Sequence, residues 1–390
     1  MAADSEQTVV AVTGTDGKTS TVEFTRQLLA HAGHAAASWG TLGLVTERGR
    51  VSDPPMAVGP DALPAFLAEL HHDGVEVATL EAFSSTLARG LLDSVTADVA
   101  AITTLHRDHL DFHGSFDAYV RAKARLFETV LAPDGTAVLN ADVSRLDDFR
   151  DGCRERGQTV LVYGRATTAD VRLVAASPTP AGTRLRLAVA GHDATVETGV
   201  VGDMMLENVL CAVAASVAVG VPPARAVEGV STLDPPVGRV ERVADHDGAA
   251  IYVDYAHTPG ALRAVLDALR LRADGRLLVA FGCGGGTDPG KRRRMGRIAA
   301  ELADVVFVTD DNPRREDPAA IRRAILGGCP GASEVSDRRR AIERAVGELT
   351  TGDVLVVAGK GHETTQTVGR EARQFSDHAV VREATGHVSR

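Results

Sequence analysis

Along the first 165 residues, short continuous apolar runs alternate with stretches whose apolar residues recur at helical spacing. The runs fall at 8–13, 76–80, 97–103, 135–139 and 159–163. They lack the in–out alternation of a half-exposed strand, so each reads as a strand buried on both faces. Such strands alternating with helices predict an α/β fold with a mostly parallel sheet covered on both sides. From Asp170 to Val201 the period changes to two, as in Leu185-Arg186-Leu187-Ala188-Val189, which predicts a short antiparallel excursion. Helical patterns follow at 204–219 and 222–231, and Pro235-Pro236-Val237-Gly238 then reads as a linker. Beyond it a second α/β series begins. Its strands are expected at 250–254, 277–281, 304–309 and 353–358, and its helices at 259–271, 290–302, 317–326 and 337–348. The expected domains are 1–235 and 236–390, with ligands in the crevices at the strand ends.

The first apolar run leads into Thr13-Gly14-Thr15-Asp16-Gly17-Lys18-Thr19-Ser20, and helical spacing resumes from Thr19 to His31. A strand, a Gly-rich turn and a helix start together make a phosphate cradle. Backbone N–H groups and the helix N-terminus face a polyphosphate, Lys18 reaches its terminal phosphates, and the Thr19 hydroxyl suits Mg²⁺. Only Thr15 and Asp16 separate Gly14 from Gly17, fewer residues than in most P-loops. An ordinary Gly-bearing turn would carry the same residues, but the strand before and the helix after favour ATP. The first domain is therefore expected to be a P-loop-type ATPase domain.

A second polar cluster, His106, Arg107, Asp108, His109, Asp111 and His113, follows the 97–103 strand. Beside a P-loop it reads as a metal or phosphate site; alone it would read as a capped turn. Glu81 closes the 76–80 run at the same sheet edge. Its carboxylate could complete a Mg²⁺ shell of oxygens, waters and phosphates, or could start a helix.

The net charge of −10 argues against nucleic acid as the main partner, since phosphate backbones are bound by an excess of Lys and Arg. The run Lys291-Arg292-Arg293-Arg294 reads equally as a phosphate-side patch and as a solvated helix start. No apolar window is long enough to span a membrane, and the N-terminus has no signal-peptide pattern, so a cytoplasmic protein is expected. Cys153, Cys211, Cys283 and Cys329 are far apart and form no C-x-x-C pair, which suits small buried thiols in a reducing compartment.

Ten segments, in order along the chain, carry a resemblance. They are Thr13–Ser20, Glu81 with Ser84, Arg107–Asp111, Ala122–Phe127, Leu139–Asp142, Gly238–Glu241, Val253–Pro259, Phe281–Gly285, Thr309–Arg314 and Ala358–Glu363. On these the chain resembles the Mur ligase family and within it is most similar to MurE. The resemblance implies a C-terminal Rossmann-like α/β domain and an ATP-dependent amide ligase. A carboxylate attacks the γ-phosphate, ADP leaves, and an amine then displaces phosphate from the acyl carbon. Positioned cations hold the charge that builds on the oxygens.

By the same resemblance, Lys18 and Arg239 neutralise the γ-phosphate, and Thr19 and Glu81 hold one Mg²⁺. His109 helps hold a second Mg²⁺, supported by a carbamate on Lys123. That carbamate needs an unprotonated amine, whereas composition alone would make Lys123 an exposed lysine on a helix 115–129. Asn208 is implied at adenine, Asp254 and His257 at ribose and phosphates. Asp311, Asn312, Arg314, Gly359 and Glu363 are implied around the amino-acid substrate.

The sequence also departs from the family. The P-loop begins at residue 13, so the domain that grips UDP in MurE enzymes is expected to be absent. Asp53-Pro54-Pro55, Phe83-Ser84-Ser85, Arg89, Leu91, Thr104 and His106 replace family residues of the acceptor pocket, and Thr287 replaces a carboxylate-binding Arg. The expectation is a ligase joining an amino acid to a small carboxylate acceptor that carries no UDP. Two alternatives are a MurE-type peptidoglycan ligase whose UDP-binding part is supplied elsewhere, and an inactive nucleotide-binding regulatory module. The oligomeric state is left open.

Overall fold

A computed structural model describes residues 7–51, 62–286 and 288–386. The chain divides into two compact units: Met1–Val200 with Met204–Asp234, and Val201–Asp203 with Pro235–Arg390.

The first unit is built on an eleven-stranded sheet. Its strands are β1 (Thr8–Thr13), β2 (Ala36–Gly40), β3 (Gly43–Thr46), β4 (Gly49–Val51), β5 (Val77–Glu81), β6 (Ala97–Ile102), β7 (Leu131–Asn140), β8 (Thr159–Gly164), β9 (Val171–Thr179), β10 (Gly182–Val189) and β11 (His192–Thr198). The spatial order is β11-β10-β9-β8-β7-β6-β1-β5-β2-β3-β4. The centre is parallel, as continuous apolar strands require, because helices cover both faces. The period-two segment forms the antiparallel meander β9–β11.

Strand β1 lies between β5 and β6. Its Val9 and Ala11 join a core with Leu80, Ile102 and Phe127 on one face, while Val10 and Val12 are fully buried. The chain leaves β1 toward β5 and later returns to its other side as β6. That reversal opens a crevice at the carboxyl ends of the strands. The surrounding helices are α1 (Lys18–Ala32), α2 (Ala62–His72), α3 (Ser84–Ala88), α4 (Leu110–His113), α5 (Phe116–Arg125), α6 (Leu146–Glu155), α7 (Asp203–Val219) and α8 (Pro223–Gly229).

Three features differ from the sequence reading. The helix expected over 115–129 stops at Arg125, continues as a π-turn over Leu126–Val130 and runs directly into β7. The buried Gln158 amide donates to the carbonyls of Phe127, Leu131 and Ala132 at 3.1, 3.4 and 3.3 Å. It satisfies acceptors at the joint where the π-turn passes into β7. Strands β2–β4 had no clear apolar run to announce them. The helix expected over 222–231 ends at Gly229 and tightens into a 3₁₀ turn over Val230–Thr232.

The second unit holds a six-stranded sheet in the order β12-β13-β17-β14-β15-β16. These are β12 (Glu241–His246), β13 (Ala249–Asp254), β14 (Leu277–Phe281), β15 (Val305–Val308), β16 (Ser333–Glu334) and β17 (Val354–Ala358). All pairs are parallel except β12 with β13. A hairpin, β18 (Thr365–Val368) and β19 (Glu371–Gln374), stands apart. The helices are α9 (Pro259–Arg270), α10 (Gly290–Leu302), α11 (Pro318–Leu326), α12 (Arg338–Gly347) and α13 (Asp377–Ala384). Thr258, Asp317, Asp337 and Ser376 cap four of these helices through side-chain oxygens. Arg338 and Asp377 form a fully buried ion pair at 2.7 Å, and Arg338 also donates to Ala358 O at the end of β17.

Among the described residues no helix is long and apolar enough to cross a membrane. The four cysteines are free and buried.

Candidate active site

The P-loop leaves β1 at Thr13 and enters α1 through Gly17. Gly14 and Gly17 take φ of 149° and 88°. A Cβ on Gly14 would stand 1.8 Å from Thr103 Oγ1, and one on Gly17 would stand 2.2 Å from Asn208 Oδ1. Only glycine fits either position. Two loop N–H groups expected to face phosphate are already engaged. Thr15 N donates to Thr104 O at 2.8 Å, and Asp16 N donates to Thr104 Oγ1 at 2.9 Å. Among the described residues no side chain caps α1, so an anion would meet the first-turn N–H groups of Thr19 and Ser20 and the positive end of the helix. The Ser20 hydroxyl itself turns inward toward Met205 Sδ at 3.6 Å.

Two lysines converge on one carbonyl. Lys18 Nζ donates to Gly14 O at 3.0 Å and Thr15 O at 2.8 Å, and Lys123 Nζ donates to Gly14 O at 2.6 Å. Lys123 is 1% exposed, contrary to what composition favours for a helical lysine. The helix α5 that carries it packs inward through Tyr119, Val120 and Ala122. Burial, and then the charge of Lys18, lower the Lys123 pKa well below the usual lysine value, against Asp108 and Asp16. Tyr119 places its ring 4.6 Å below the Lys123 ammonium and its hydroxyl 3.0 Å from Thr15 Oγ1. Burial pushes that phenol up to about 12.

Lys18, His109 and Lys123 line one cavity of about 340 Å³ together with Phe83, Ser84, Ser85, Arg89, Phe112 and His113. His109 begins α4 with φ 50°; its exposed ring lies 3.5 Å from Asp108. His113 meets Ser84 Oγ at 3.0 Å, and burial followed by the charges of His109 and Lys123 lowers its pKa. Arg89 lies over the exposed Phe112 ring at 5.3 Å.

Glu81 ends β5, in register with Val12 of β1. It is buried, and its carboxylate accepts from Thr41 N at 2.7 Å and Thr41 Oγ1 at 3.1 Å. Roughly four lone-pair sites on a carboxylate leave room for a cation as well. Among the described residues no three His, Cys, Asp or Glu side chains gather into a metal-ligating group. Thr19, Glu81, His109 and Lys123 therefore form no closed cage. The oxygens of Thr19 and Glu81 are a sparse set that fits Mg²⁺, which keeps several waters and is held by one or two protein groups plus substrate phosphates.

Within the second unit, Arg239 lies over the Tyr255 ring at 4.6 Å, and its buried Nε has no hydrogen-bond partner among the described residues. A buried unpaired guanidinium N–H is suited to an anion. The turn that carries it is pinned by Asp254, whose carboxylate accepts from Val240 N and Ala256 N, each at 2.7 Å. Burial raises the Asp254 pKa; Arg239 and these N–H groups oppose it. His257 stacks edge-on against Tyr255 and bonds Tyr255 O at 3.0 Å. Its pKa falls with burial, despite that bond, and falls further through the charges of Lys291 and Arg239.

A second polar group surrounds Asp311-Asn312-Pro313-Arg314. Asn312 Nδ2 donates to Glu363 Oε2 at 2.8 Å, and a Cβ on Gly359 would stand 2.7 Å from Asp311 Oδ2. Arg314, with φ 51°, donates from Nη1 to Gly285 O at 2.6 Å. Asp311, Asn312, Gly359 and Glu363 are thus together, and Arg314 leaves from the same turn. Sequence reasoning missed Tyr119, Thr103 and Lys360. The Lys360 side chain is fully buried under Glu363, inside a quoted motif whose spacing says nothing of burial. Asp53–Pro55 and Thr287 lie outside the described residues.

Residues 12–216 match the Mur ligase middle domain and residues 238–361 the Mur ligase glutamate ligase domain. A UDP-N-acetylmuramoyl-L-alanyl-D-glutamate–2,6-diaminopimelate ligase of Caulobacter vibrioides is 44% identical over 382 residues, covering 96% of this chain and 78% of that protein. The ligase of that name from Mesorhizobium japonicum is 44% identical over 383 residues, covering 97% and 78%. A solved structure of an enzyme with that name superimposes with a TM-score of 0.74 at 33% identity, covering 97% of this chain and 78% of its own. A folylpolyglutamate synthase from Mycobacterium tuberculosis shares the fold at 18% identity and a TM-score of 0.73, covering 91% and 89%. By both domain matches and by 44% identity over 96% of its length, this chain belongs to the Mur ligase family of ATP-dependent amide-bond-forming ligases.

Proposed function

We propose that this chain joins the amine of a carboxylate-bearing amino acid to a carboxylate acceptor that carries no UDP. The observation that carries the site assignment is the convergence of Lys18 and Lys123 on Gly14 O at the wall of one cavity. When bound, Mg²⁺-ATP supplies the phosphoryl group and shields the anions that must approach each other. Lys18 would exchange its loop carbonyls for the terminal phosphates, and the N-terminus of α1 would hold the chain of phosphates. Thr19 and Glu81 would hold one Mg²⁺; His109 and Lys123 would serve a second. By the family resemblance Arg239, whose Nε has no partner among the described residues, would meet phosphoryl charge. Asn208, packed on Gly17, would meet the adenine, and Asp254 and His257 the ribose and phosphates.

The buried Lys123 amine has the environment that carbamate formation requires. Its nitrogen would bond to CO₂ carbon and release one proton to solvent. The N–H it keeps can still donate to Gly14 O, so the new carboxylate would project into the cavity.

For the amine, Arg314 would pair with a substrate carboxylate, while Glu363 and Asp311 would meet an ammonium near Gly359 and Asn312. The acceptor reading rests on Phe83, Ser85, Arg89 and Leu91, which differ from the family's pattern; the first three line the cavity. The Asp311–Arg314 turn favours a second reading, in which the substrates are those named for the relatives, UDP-N-acetylmuramoyl-L-alanyl-D-glutamate and 2,6-diaminopimelate. ADP release and amide product, measured with that UDP-linked acceptor and with short UDP-free acyl peptides, separate the two. Efficient turnover of the UDP-linked acceptor would overturn the first. No ADP release with any acceptor would favour the regulatory module.

A further inference from the structure

Lys360 follows β17, and its side chain is completely buried in the second unit. Its ammonium donates to Glu363 Oε2 at 2.7 Å, Asn312 Oδ1 at 3.1 Å and Thr365 O at 2.7 Å. An ammonium has three N–H bonds, and these three acceptors use them all. Lys360 therefore has no donor left for a ligand. It acts on protein groups alone.

The consequence falls on two side chains placed at the amine subsite. Asn312 Oδ1 accepts from both Lys360 and Thr367 N, the latter at 2.9 Å, so its Nδ2 must face Glu363. Glu363 Oε2 is held by Lys360 and by Asn312 Nδ2. Among the described residues no hydrogen bond reaches the other oxygen, Oε1, which remains for an incoming cation. The Glu363 side chain is 29% exposed, so one end of the carboxylate is buried in the clamp while the rest reaches solvent. The same hairpin holds Arg314: Thr365 O anchors Lys360, and Thr367 O accepts from Arg314 N at 3.0 Å. One frame thereby fixes both the ammonium grip and the carboxylate grip.

Burying an ammonium is costly unless it is paired and fully hydrogen-bonded. An apolar side chain would fill this space at lower cost, so the charge itself has a use. We propose that Lys360 is a positioning residue for the amine substrate, holding the Glu363 carboxylate with one oxygen turned outward for a substrate ammonium. This rests on the reading of Glu363 as the residue that meets the amine substrate.

The test compares wild type, Lys360→Met, Glu363→Gln and the double variant, with 2,6-diaminopimelate as the amine and amide product as the readout. Lys360→Met is expected to raise KM for the amine tenfold or more while KM for ATP moves less than twofold. The double variant is expected to match Glu363→Gln alone, because Lys360 acts through Glu363. An amine KM within twofold of wild type, or effects that multiply in the double variant, would overturn the proposal. Should Lys360→Met fail to fold by circular dichroism, Lys360→Gln, which keeps one donor for Glu363, takes its place, with an amine KM raised at least threefold and the same overturning results. Absence of amide product in wild type itself, with ADP still released, would instead sink the reading of the amine subsite.

Discussion

The joint between Gly17 and Asn208 offers the sharpest quantitative test of the P-loop geometry. Gly17 has φ 88° and ψ −10°, in the left-handed region, where alanine costs about 1–2 kcal/mol. An alanine Cβ there would stand 2.2 Å from Asn208 Oδ1 and 3.1 Å from its Cγ. Asn208 is 3% exposed on α7, so it has little room to withdraw. Forcing such a side chain aside costs about 1–3 kcal/mol, as in other overpacked cores. Gly17→Ala should therefore destabilise the first unit by about 2–5 kcal/mol, a large share of the roughly 5–15 kcal/mol of a typical domain.

Asn208→Ala removes the obstacle but not the backbone penalty. In that background Gly17→Ala should cost only about 1–2 kcal/mol. The two substitutions should thus couple favourably by about 1–3 kcal/mol. Urea unfolding of all four proteins, followed by circular dichroism, measures this directly. Additivity within about 0.5 kcal/mol would show that the side chains do not meet and would refute the packing argument.

Lys123→Met keeps the volume and removes the amine, so amide formation should fall at least a hundredfold while urea stability changes by less than about 1.5 kcal/mol; product formation within threefold of wild type would remove Lys123 from the site. Arg338→Met leaves Asp377 buried and unpaired, which should cost about 3–5 kcal/mol, whereas Arg338→Met with Asp377→Leu should recover most of it; thermal unfolding of the single and double variants decides. Asp353 supplies a pH test. Burial alone would raise its pKa, but the Arg276 guanidinium and the N–H groups of Arg276 and Thr350 hold it down to about 2, against an ordinary 3.8. A carboxylate lowered in the folded state contributes stability above its unfolded value and loses it as pH falls through the folded one. The gap in stability between wild type and Asp353→Asn should therefore be about 2 kcal/mol near neutrality and close between pH 4 and 2. A gap that widens on acidification would contradict the assigned bonds.

Much of the site was legible because its chemistry is local in sequence. Thr13–Ser20 carries strand, turn and helix start within a few residues, and the Asp311–Arg314 and Gly359–Glu363 motifs are equally compact. Lys123 was legible only as part of a pattern, since a helical lysine reads as exposed until the packing of α5 is known. Lys360 was not legible as a buried group, because its three acceptors come from Asn312, Glu363 and Thr365 and meet only when β17 and the β18–β19 hairpin are in place. Tyr119 likewise gains its role from Thr15, over a hundred positions away in the chain.

The sequence alone determined the α/β class, the parallel centre of each sheet and the glycine turn between β1 and α1. Apolar periodicity and glycine geometry are properties of neighbouring residues. The tertiary structure decided which polar groups lose water. It brought Lys18 and Lys123 to one carbonyl, left Arg239 Nε without a partner among the described residues and closed Lys360 beneath Glu363. Desolvation and hydrogen-bond partnership depend on residues far apart in the chain, so no local pattern can specify them.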